Sequence, residues 1–491
     1  MQILKQANNN HYVLLFCILI LSGYIHLYNP VGFPDIFFDE GIYMRRAMNV
    51  AETGNPQEGY FYDHPYFGQL VLGALAKLAG FPQTVEQSLE MSYLVPRLLM
   101  GVFAVFDTFL IYKIAEKKFG KKTAAIAAII FAVMPMTWLL RRILLDTILL
   151  PFLLSSIYLA MHSKDSKHPG LMIFGSSVCL GLSIFTKITA ITMIPFVGYL
   201  IYTNTKSLQR LTAWLVPMFG IPMIWPAIAS YFNQLDLFFR DVLWQAGRGS
   251  GGFFPTTMLL FFIDPIVIVL SFLAFAYAIY KRNLFLIFWF APFLLFVNTI
   301  GFFQYFHFIL IMPVMCIAIA FMLNDKISTI KNLKLQNYTH MATILFFAVF
   351  GTFATMTVIN TDMSSAQFEV IEFTLANFDD TDATLLAGPV YTWIISDVYG
   401  KQNVYPDYSL ILFQNSTTTD TMLIADPHFM HDIGRGPQLQ NAYSDLNTIK
   451  EYYGNSHQYD YHNYPFTSLH VTAEGSYIEI KTSWDDNWKS P

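Results

Sequence analysis

The sequence is poor in charged residues and in cysteine. Only 13% of its 491 residues are Asp, Glu, Lys or Arg, about half of the roughly 25% that is usual in soluble domains. Hydrophobic residues make up 54%, and the mean hydropathy is +0.43. The three cysteines, Cys17, Cys179 and Cys316, lie in apolar segments, which excludes a disulfide framework and a cysteine metal cluster. We therefore expect an α-helical polytopic membrane protein.

Long runs without charge predict about eleven transmembrane helices, since a span needs about 20 apolar residues. They lie near 12–28, 96–112, 123–140, 144–161, 171–185, 188–202, 211–230, 259–280, 284–302, 305–323 and 341–359. The first run is predicted to stay as a helix rather than to be cleaved as a signal peptide, because no small-residue cleavage site follows it.

Lys and Arg in the short loops predict the orientation, because cytoplasmic loops carry an excess of them. Five lysine- and arginine-containing loops, at 113–122, 164–167, 206–210, 281–282 and 326–334, fall on one side if the spans are right. We therefore predict a multi-pass plasma-membrane protein with a cytoplasmic N-terminus. Segments 29–95 and 231–258, and the chain after about 360, are then extracytoplasmic.

The first external segment and the C-terminus are predicted to fold outside the hydrocarbon core. Residues 39–53 and 65–79 have one apolar side each and predict helices that lie in the interface. Residues 1–360 form the predicted membrane domain, and short apolar runs in 361–491 predict a small soluble α/β domain. The glycosylation sequon at Asn415 is external in this topology and the one at Asn337 is cytoplasmic.

Asp39 and Glu40 form an acidic pair at the start of the first interfacial helix. A helix N-terminus favours such residues as a cap and as partners of its dipole, so a structural role is open. The other role is that of a general base that deprotonates an acceptor hydroxyl. Adjacent helical residues point about 100° apart, so one is expected to act and the other to support it.

Four basic residues stand where charge is costly, at or inside predicted spans: Arg97, Arg141, Arg142 and Lys187. Arg141 is expected to reach the interface by snorkelling. Arg142 is followed four residues later by Asp146, so an ion pair along one helix is an open explanation. Lys187 has no acidic neighbour in sequence. A phosphate group would explain these cations, since Arg and Lys both bind phosphate oxygens.

Further polar residues gather on the same predicted side of the membrane. We assign acceptor or sugar contacts to Asp63, His64, Tyr43, Gln304 and Tyr305, and expect no metal, because one His with scattered carboxylates is weak evidence for a metal site. The glycine-rich segment 247–252 lacks the Lys-Ser/Thr of a P-loop. It is predicted to be a flexible external loop.

Five segments in order resemble the GT-C membrane glycosyltransferases, in the branch of protein O-mannosyltransferases and lipid A aminoarabinose transferases. They are Phe38-Asp39-Glu40 with Tyr43, His64-Pro65-Tyr66-Phe67-Gly68, Val95-Pro96-Arg97-Leu98, Arg142-Ile-Leu-Leu-Asp146 and Thr186-Lys187. Tyr66 replaces a proline of the family pattern. The resemblance covers roughly residues 10–325. The C-terminal part does not resemble the β-trefoil of eukaryotic O-mannosyltransferases, and the Trp-Trp-Asp motif of oligosaccharyltransferases is absent from the sequence.

The resemblance implies transfer of a sugar, with inversion, from a polyprenyl (dolichyl-type) phosphate sugar, without a nucleotide sugar. It also implies one catalytic carboxylate in the pair Asp39 and Glu40, and binding of the lipid phosphate by Arg97. The acceptor is not carried over; we expect an extracytoplasmic protein, glycan or lipid, with no cofactor and no nucleic-acid partner. We expect Asp39 to be the base and Glu40 its support, and we assign donor-phosphate binding to Arg97, Lys187 and Arg142, with the pair of Arg142 and Asp146 mainly structural.

Two alternatives are weighed against a transferase. A transporter or lipid-linked glycan flippase would also need intramembrane charge, but it should show repeated halves. A membrane anchor for a C-terminal binding module would need no site in the membrane domain.

Overall fold

The computed structural model describes residues 2–57, 61–248, 250–299, 302–378, 383–407, 420–426, 441, 444, 446–453 and 477–484. The predicted sequon at Asn415 lies outside the described residues. The one at Asn337 lies in a helix, where the Asn337 side chain accepts a hydrogen bond of 3.0 Å from Lys122 Nζ.

The membrane domain is built from helices that follow one another through residue 359. They are α1 (Gln2–Leu27), α2 (Phe38–Thr53), α3 (Phe67–Leu78), α4 (Gln83–Gln87), α5 (Met91–Phe119), α6 (Lys121–Val133), α7 (Leu145–His162), α8 (Pro169–Thr186), α9 (Ile194–Thr205), α10 (Leu208–Gly220), α11 (Ile224–Tyr231), α12 (Leu235–Gly247), α13 (Phe253–Ile263), α14 (Pro265–Tyr280), α15 (Leu284–Val297), α16 (Met312–Ser328) and α17 (Leu333–Ile359). Short 3₁₀ helices cover Pro135–Arg141, Ile188–Met193 and Tyr305–Leu310.

Five helical segments among the described residues are long and apolar enough to cross a membrane: Met91–Phe119, Leu145–His162, Pro169–Thr186, Ile188–Thr205 and Leu333–Ile359. Two pairs of consecutive helices, each bent at a short break, raise this number to seven if each pair is one span. Other predicted spans coincide with shorter apolar helices, among them Tyr12–Leu27 and Leu284–Val297. The membrane-helical class is confirmed, whereas the number eleven stays a prediction.

At least three predicted spans are broken, namely those over 123–140, 211–230 and 259–280. The span over 123–140 bends by 64° between α6 and the following 3₁₀ helix, where Met134 is extended (φ −73°, ψ 143°) because it precedes Pro135. The span over 259–280 is two helices, α13 and α14, divided at Asp264. The buried Asp264 carboxylate caps α14 by accepting the Val267 N–H at 3.0 Å, and it accepts the Met136 N–H at 3.3 Å.

The C-terminal part contains a mixed five-stranded sheet with the order β4-β3-β5-β7-β6. Its strands are β3 (Ala383–Ala387), β4 (Val404–Pro406), β5 (Asp420–Ala425), β6 (Asn447–Tyr453) and β7 (Tyr477–Thr482). β3 is parallel to β4 and β5, whereas β7 is antiparallel to β5 and β6. Helices α18 (Ser365–Asn377) and α19 (Pro389–Trp393), with a π turn over Ile394–Val398, complete the described part. This confirms the small α/β domain, and its predicted start at 361 falls between α17 and α18.

The C-terminal domain contacts the segment between α1 and α2 directly. The Gln367 side chain accepts the Ile36 N–H at 2.8 Å and donates to the Ile36 carbonyl at 3.1 Å. Asn29 donates to the carbonyls of Ile359 and Thr361 at 2.9 and 3.1 Å. These bonds fix the chain just before α2 against the domain.

Candidate active site

The acidic pair opens α2, and its two carboxylates have different surroundings. Phe37 is extended (φ −85°, ψ 150°), and its N–H donates to Glu40 Oε2 at 2.8 Å, which stabilises the first turn. The helix ends at Gly54, whose φ of 72° suits a residue without Cβ. Glu40 is fully buried, whereas the Asp39 side chain lines a cavity. One carboxylate therefore lies at the cavity and the other in the protein interior.

Glu40 is held in a buried ion pair with Arg97. Both side chains have no exposed surface, and Arg97 Nη2 lies 2.7 Å from Glu40 Oε2. Glu40 also accepts from Arg97 Nε at 3.0 Å and from the Ile143 N–H at 2.8 Å. The other Arg97 donors bind the carbonyls of Pro30, Pro34 and Asp35 at 3.0, 2.7 and 2.9 Å. All five guanidinium donors are therefore engaged by the protein, and none faces the cavity that Asp39 lines.

Arg141 and Arg142 also bind the segment before α2. Arg142 Nη2 lies 2.7 Å from Asp35 Oδ1, and its guanidinium lies 5.1 Å from the Phe37 ring. The ion pair expected between Arg142 and Asp146 is wrong, because Asp146 pairs with Lys187. Snorkelling of Arg141 is also wrong: the side chain is fully buried, and its donors bind carbonyls between residues 25 and 33.

Lys187 stands at the break between α8 and the next 3₁₀ helix. Its backbone is extended (φ −152°, ψ 131°), and its N–H bonds to the Ser183 carbonyl at 3.1 Å. Lys187 Nζ lies 2.5 Å from Asp146 Oδ2 and 4.7 Å from the Phe306 ring centroid. Since an ammonium has three donors and Asp146 takes one, Lys187 can bind a further anion.

A cavity of about 700 Å³ joins these elements. It contains Asp39 from α2, Asp63 and His64 from the segment before α3, Lys187, and Gln304 and His307 from the segment before α16. Aromatic and aliphatic side chains line another part, among them Phe61, Trp225, Trp244, Ile188 and Ile191. Ile188, Ile191 and Trp244 are more than a third exposed, so this part of the cavity is apolar and open. A molecule with a charged head and an apolar tail fits such a cavity.

Arg248 is a cavity residue that the sequence analysis did not select. Its glycine-rich segment was predicted to be a flexible loop, but Ser250–Gly251 forms strand β1, paired in parallel with strand β2 (Phe302–Phe303). Arg248 Nη1 donates to Gln245 Oε1 at 3.1 Å, and its guanidinium lies 4.9 Å from the Trp244 ring centroid. The sequence signal that could have identified Arg248 is an arginine within a glycine-rich segment, four residues after the aromatic Trp244.

Four of the five residues assigned to acceptor or sugar contacts line the cavity: Asp63, His64, Tyr43 and Gln304. Tyr305 is not among the described lining residues, and its ring packs 6.4 Å from that of Phe37. Asp63 is paired with Arg46 at 2.8 Å. Among the described residues, no three His, Cys, Asp or Glu side chains are placed to hold a metal ion.

Comparisons with known proteins agree with this architecture. The family model described as dolichyl-phosphate-mannose-protein mannosyltransferase matches residues 63–229. No curated protein matches the chain in sequence. ArnT from Cupriavidus metallidurans in the apo state has a TM-score of 0.60 at 13% identity, over 97% of this chain and 98% of ArnT. The chain shares the GT-C fold of ArnT. The predicted resemblance is therefore confirmed as a likeness in fold, and in sequence over residues 63–229.

Two further GT-C structures extend the match. ArnT bound to undecaprenyl phosphate has a TM-score of 0.58 at 13% identity, over 98% of this chain and 99% of ArnT. The oligosaccharyltransferase AglB from Archaeoglobus fulgidus, in complex with an inhibitory peptide and a dolichol-phosphate, has a TM-score of 0.57 at 11% identity. That match covers 90% of this chain and 73% of AglB. At these identities the matches show the fold of this chain.

Burial, modified by the charges around the cavity, sets the protonation of its side chains outside the membrane spans. Burial raises the pKa of Asp39 to about 6, although the charges of Lys187 and Arg248 oppose the rise; Asp63 and Asp146 add to it. Burial lowers the pKa of His64 to about 4, helped by Lys187 and against the pull of Asp63. Near neutral pH, Asp39 is therefore an ionised carboxylate whose pKa suits a general base, and His64 is neutral.

Proposed function

We propose that this protein of GT-C fold transfers a sugar from a polyprenyl-phosphate carrier to an acceptor outside the cytoplasm. The observation that carries the proposal is the single cavity in which the Asp39 carboxylate meets the cations Lys187 and Arg248 beside an open apolar wall. The ArnT structure of the same fold binds undecaprenyl phosphate, and the AglB structure binds a dolichol-phosphate. These ligands support a lipid-phosphate donor for this chain.

In the proposed reaction, Asp39 removes the proton from an acceptor hydroxyl. The acceptor oxygen forms a bond to the anomeric carbon, while the bond from that carbon to the phosphate oxygen breaks. The electron pair of the broken bond stays on the polyprenyl phosphate, whose charge increases. Lys187 and Arg248 then stabilise the leaving group more strongly than the bound donor, which is the differential stabilisation that accelerates a reaction. A single displacement of this kind inverts the anomeric configuration.

This proposal changes the roles expected of the two arginines. Arg97 and Arg142 were expected to bind the donor phosphate, but Arg97 has no donor left, and Arg142 is bound by Asp35 in the buried core. We assign them to fixing the segment that carries Asp39. Glu40 is assigned to the same buried network rather than to chemistry. Lys187 keeps its role, Arg248 is added, and Asp146 orients the Lys187 ammonium.

The acceptor is proposed to reach Asp39 past Asp63, His64, Tyr43 and Gln304. Asp63 is ionised, since its ion pair and hydrogen bond with Arg46 outweigh burial and lower its pKa. A neutral His64 can accept or donate a hydrogen bond to an acceptor group. These groups suit a polar acceptor on a protein, a glycan or a lipid head. The cytoplasmic N-terminus and the external cavity remain part of this proposal, from the distribution of Lys and Arg.

The test is product analysis with purified, detergent-solubilised protein. The protein is incubated with defined polyprenyl-phosphate sugars and candidate acceptors, and mass spectrometry follows released polyprenyl phosphate and glycosylated acceptor. We expect donor-dependent release by the wild type and none above background by Asp39→Asn. Absence of release from every donor, or transfer from a nucleotide sugar instead, would refute the proposal.

A further inference from the structure

The C-terminal domain provides part of the cavity wall. Pro389 and Thr392 of α19 and Pro406 of β4 line the cavity together with Asp39. All three come from sequence more than 330 residues beyond the end of α2 at Thr53. The cavity is therefore completed only when the domain is seated on the membrane domain.

Gly41 is the point of closest approach between α2 and α19. A Cβ atom at this position would lie 2.4 Å from the carbonyl carbon of Pro389 and 2.4 Å from the backbone nitrogen of Val390. Real Cβ atoms essentially never approach closer than 3.0 Å, and ordinary contact begins at 3.4 Å. Because both neighbours are backbone atoms, no rotamer change can relieve the overlap. Any other residue must separate the two helices by about 1 Å, on the scale at which misplacement affects catalysis.

α19 is itself held on the membrane domain by Tyr93 of α5. The Tyr93 hydroxyl donates to the Val390 carbonyl at 3.0 Å and accepts from Trp393 Nε1 at 2.7 Å. Tyr93 and Trp393 are fully buried, with ring centroids 5.8 Å apart. Since α5 holds α19 through Tyr93 and α2 through the pair of Arg97 with Glu40, a side chain at position 41 would strain both contacts and shift the start of α2 relative to α19.

We propose that Gly41 is a positioning residue, through which the C-terminal domain fixes the place of the Asp39 carboxylate relative to the donor site. Asp39 lies two residues before Gly41, on the first turn of α2. Lys187 and Arg248 lie outside α2. A shift of α2 would therefore move Asp39 relative to these two cations. The inference rests on the proposed transferase function and adds that the C-terminal domain is part of the catalytic unit.

The test compares Gly41→Ala with Gly23→Ala in the full chain. Gly23 is also in a helix, but a Cβ there would meet its nearest atom, Val105 Cγ2, at 3.9 Å. We expect Gly41→Ala to bind undecaprenyl phosphate with wild-type affinity and one site per chain, and to transfer about 100-fold more slowly per site, since a misplacement of about 1 Å can cost that factor. Gly23→Ala should match the wild type. Counting binding sites separates misplacement from partial unfolding, which would remove sites instead.

The proposal is overturned if Gly41→Ala transfers as fast per binding site as Gly23→Ala. It is also overturned if the fraction of activity that Gly41→Ala loses equals the fraction of undecaprenyl-phosphate binding sites that it loses. Should Gly41→Ala fail to fold, Tyr93→Phe decides, because it loosens α19 without adding bulk. That variant should turn over more slowly while its affinity for the donor is unchanged. Tyr277→Phe, which removes a hydroxyl that donates to Asp325, should change neither turnover nor donor affinity. Equal turnover in the two Tyr→Phe variants would overturn it. A wild type without transfer activity would instead refute the proposed function itself.

Discussion

Adjacent carboxylates on α2 should respond in opposite ways to neutralisation. We predict that Glu40→Gln destabilises the fold, and that Asp39→Asn abolishes transfer without destabilising it. Both substitutions keep size and remove one negative charge. The difference in outcome therefore depends only on where each carboxylate lies.

The magnitudes follow from the contacts. Glu40 accepts hydrogen bonds from two Arg97 nitrogens and from the N–H groups of Phe37 and Ile143. Removing its charge leaves Arg97 buried without a counter-ion, which costs about 3–5 kcal/mol out of a total stability of about 5–15 kcal/mol. Asp39 has a pKa raised by burial, so the fold disfavours its charge. A neutral amide in place of this carboxylate should therefore cost no stability, whereas loss of a general base slows a reaction by about 10²–10⁴-fold.

The assays are thermal unfolding in detergent and the initial rate of polyprenyl-phosphate release, measured on the same preparations. Glu52→Gln is the matched control, because Glu52 is an exposed carboxylate on the same helix, and it should change neither quantity. A stable but inactive Glu40→Gln protein would contradict the assignment and make Glu40 the base. Equal destabilisation by both substitutions would contradict the division between cavity and core.

The remaining predictions concern the donor site, pH and the helix break. Lys187→Met should weaken binding of undecaprenyl phosphate by about 10–100-fold, as expected for a lost charge-assisted hydrogen bond; unchanged affinity in a binding titration would exclude this residue from the donor site. Arg248→Gln should weaken the same binding less, because Arg248 is partly exposed. The transfer rate should fall about tenfold per pH unit below a pH of about 6, where Asp39 becomes protonated. Initial rates that begin to fall only near pH 4 would contradict this. Asp264→Ala should lower the free energy of unfolding by about 0.5–2 kcal/mol, the usual cost of a lost N-cap, without changing donor affinity.

Much of the helical framework could be predicted from hydropathy, since apolar runs must be satisfied within helices in lipid. The helices over 39–53 and 65–79 were also found, as α2 and α3. The break at Asp264 was missed, because a window of hydropathy averages over one carboxylate. Its Asp-Pro sequence was the signal, as Asp favours an N-cap and Pro the first helical position.

The ion pairs of the site could not be predicted, because they join distant segments. Arg97 meets Glu40 across 57 residues, Arg142 meets Asp35 across 107, and Lys187 meets Asp146 across 41. The spacing of Arg142 and Asp146 suggested a pair within one helix, but Arg142 is extended and precedes the start of α7. A contact between positions four apart requires that both lie in the same helix.

The number of hydrogen-bond donors that the fold leaves unused separates the cations that hold the structure from those that can hold a ligand. Arg97 gives all five donors to Glu40 and to carbonyls of the segment between α1 and α2, so phosphate binding would require it to abandon buried acceptors. Lys187 gives one of three donors to Asp146 and faces the cavity. Sequence shows both as costly charges in an apolar chain. Only the folded chain shows that Arg97 holds the segment before α2, and that Lys187 keeps hydrogen-bond donors for a ligand, which we propose is the donor phosphate.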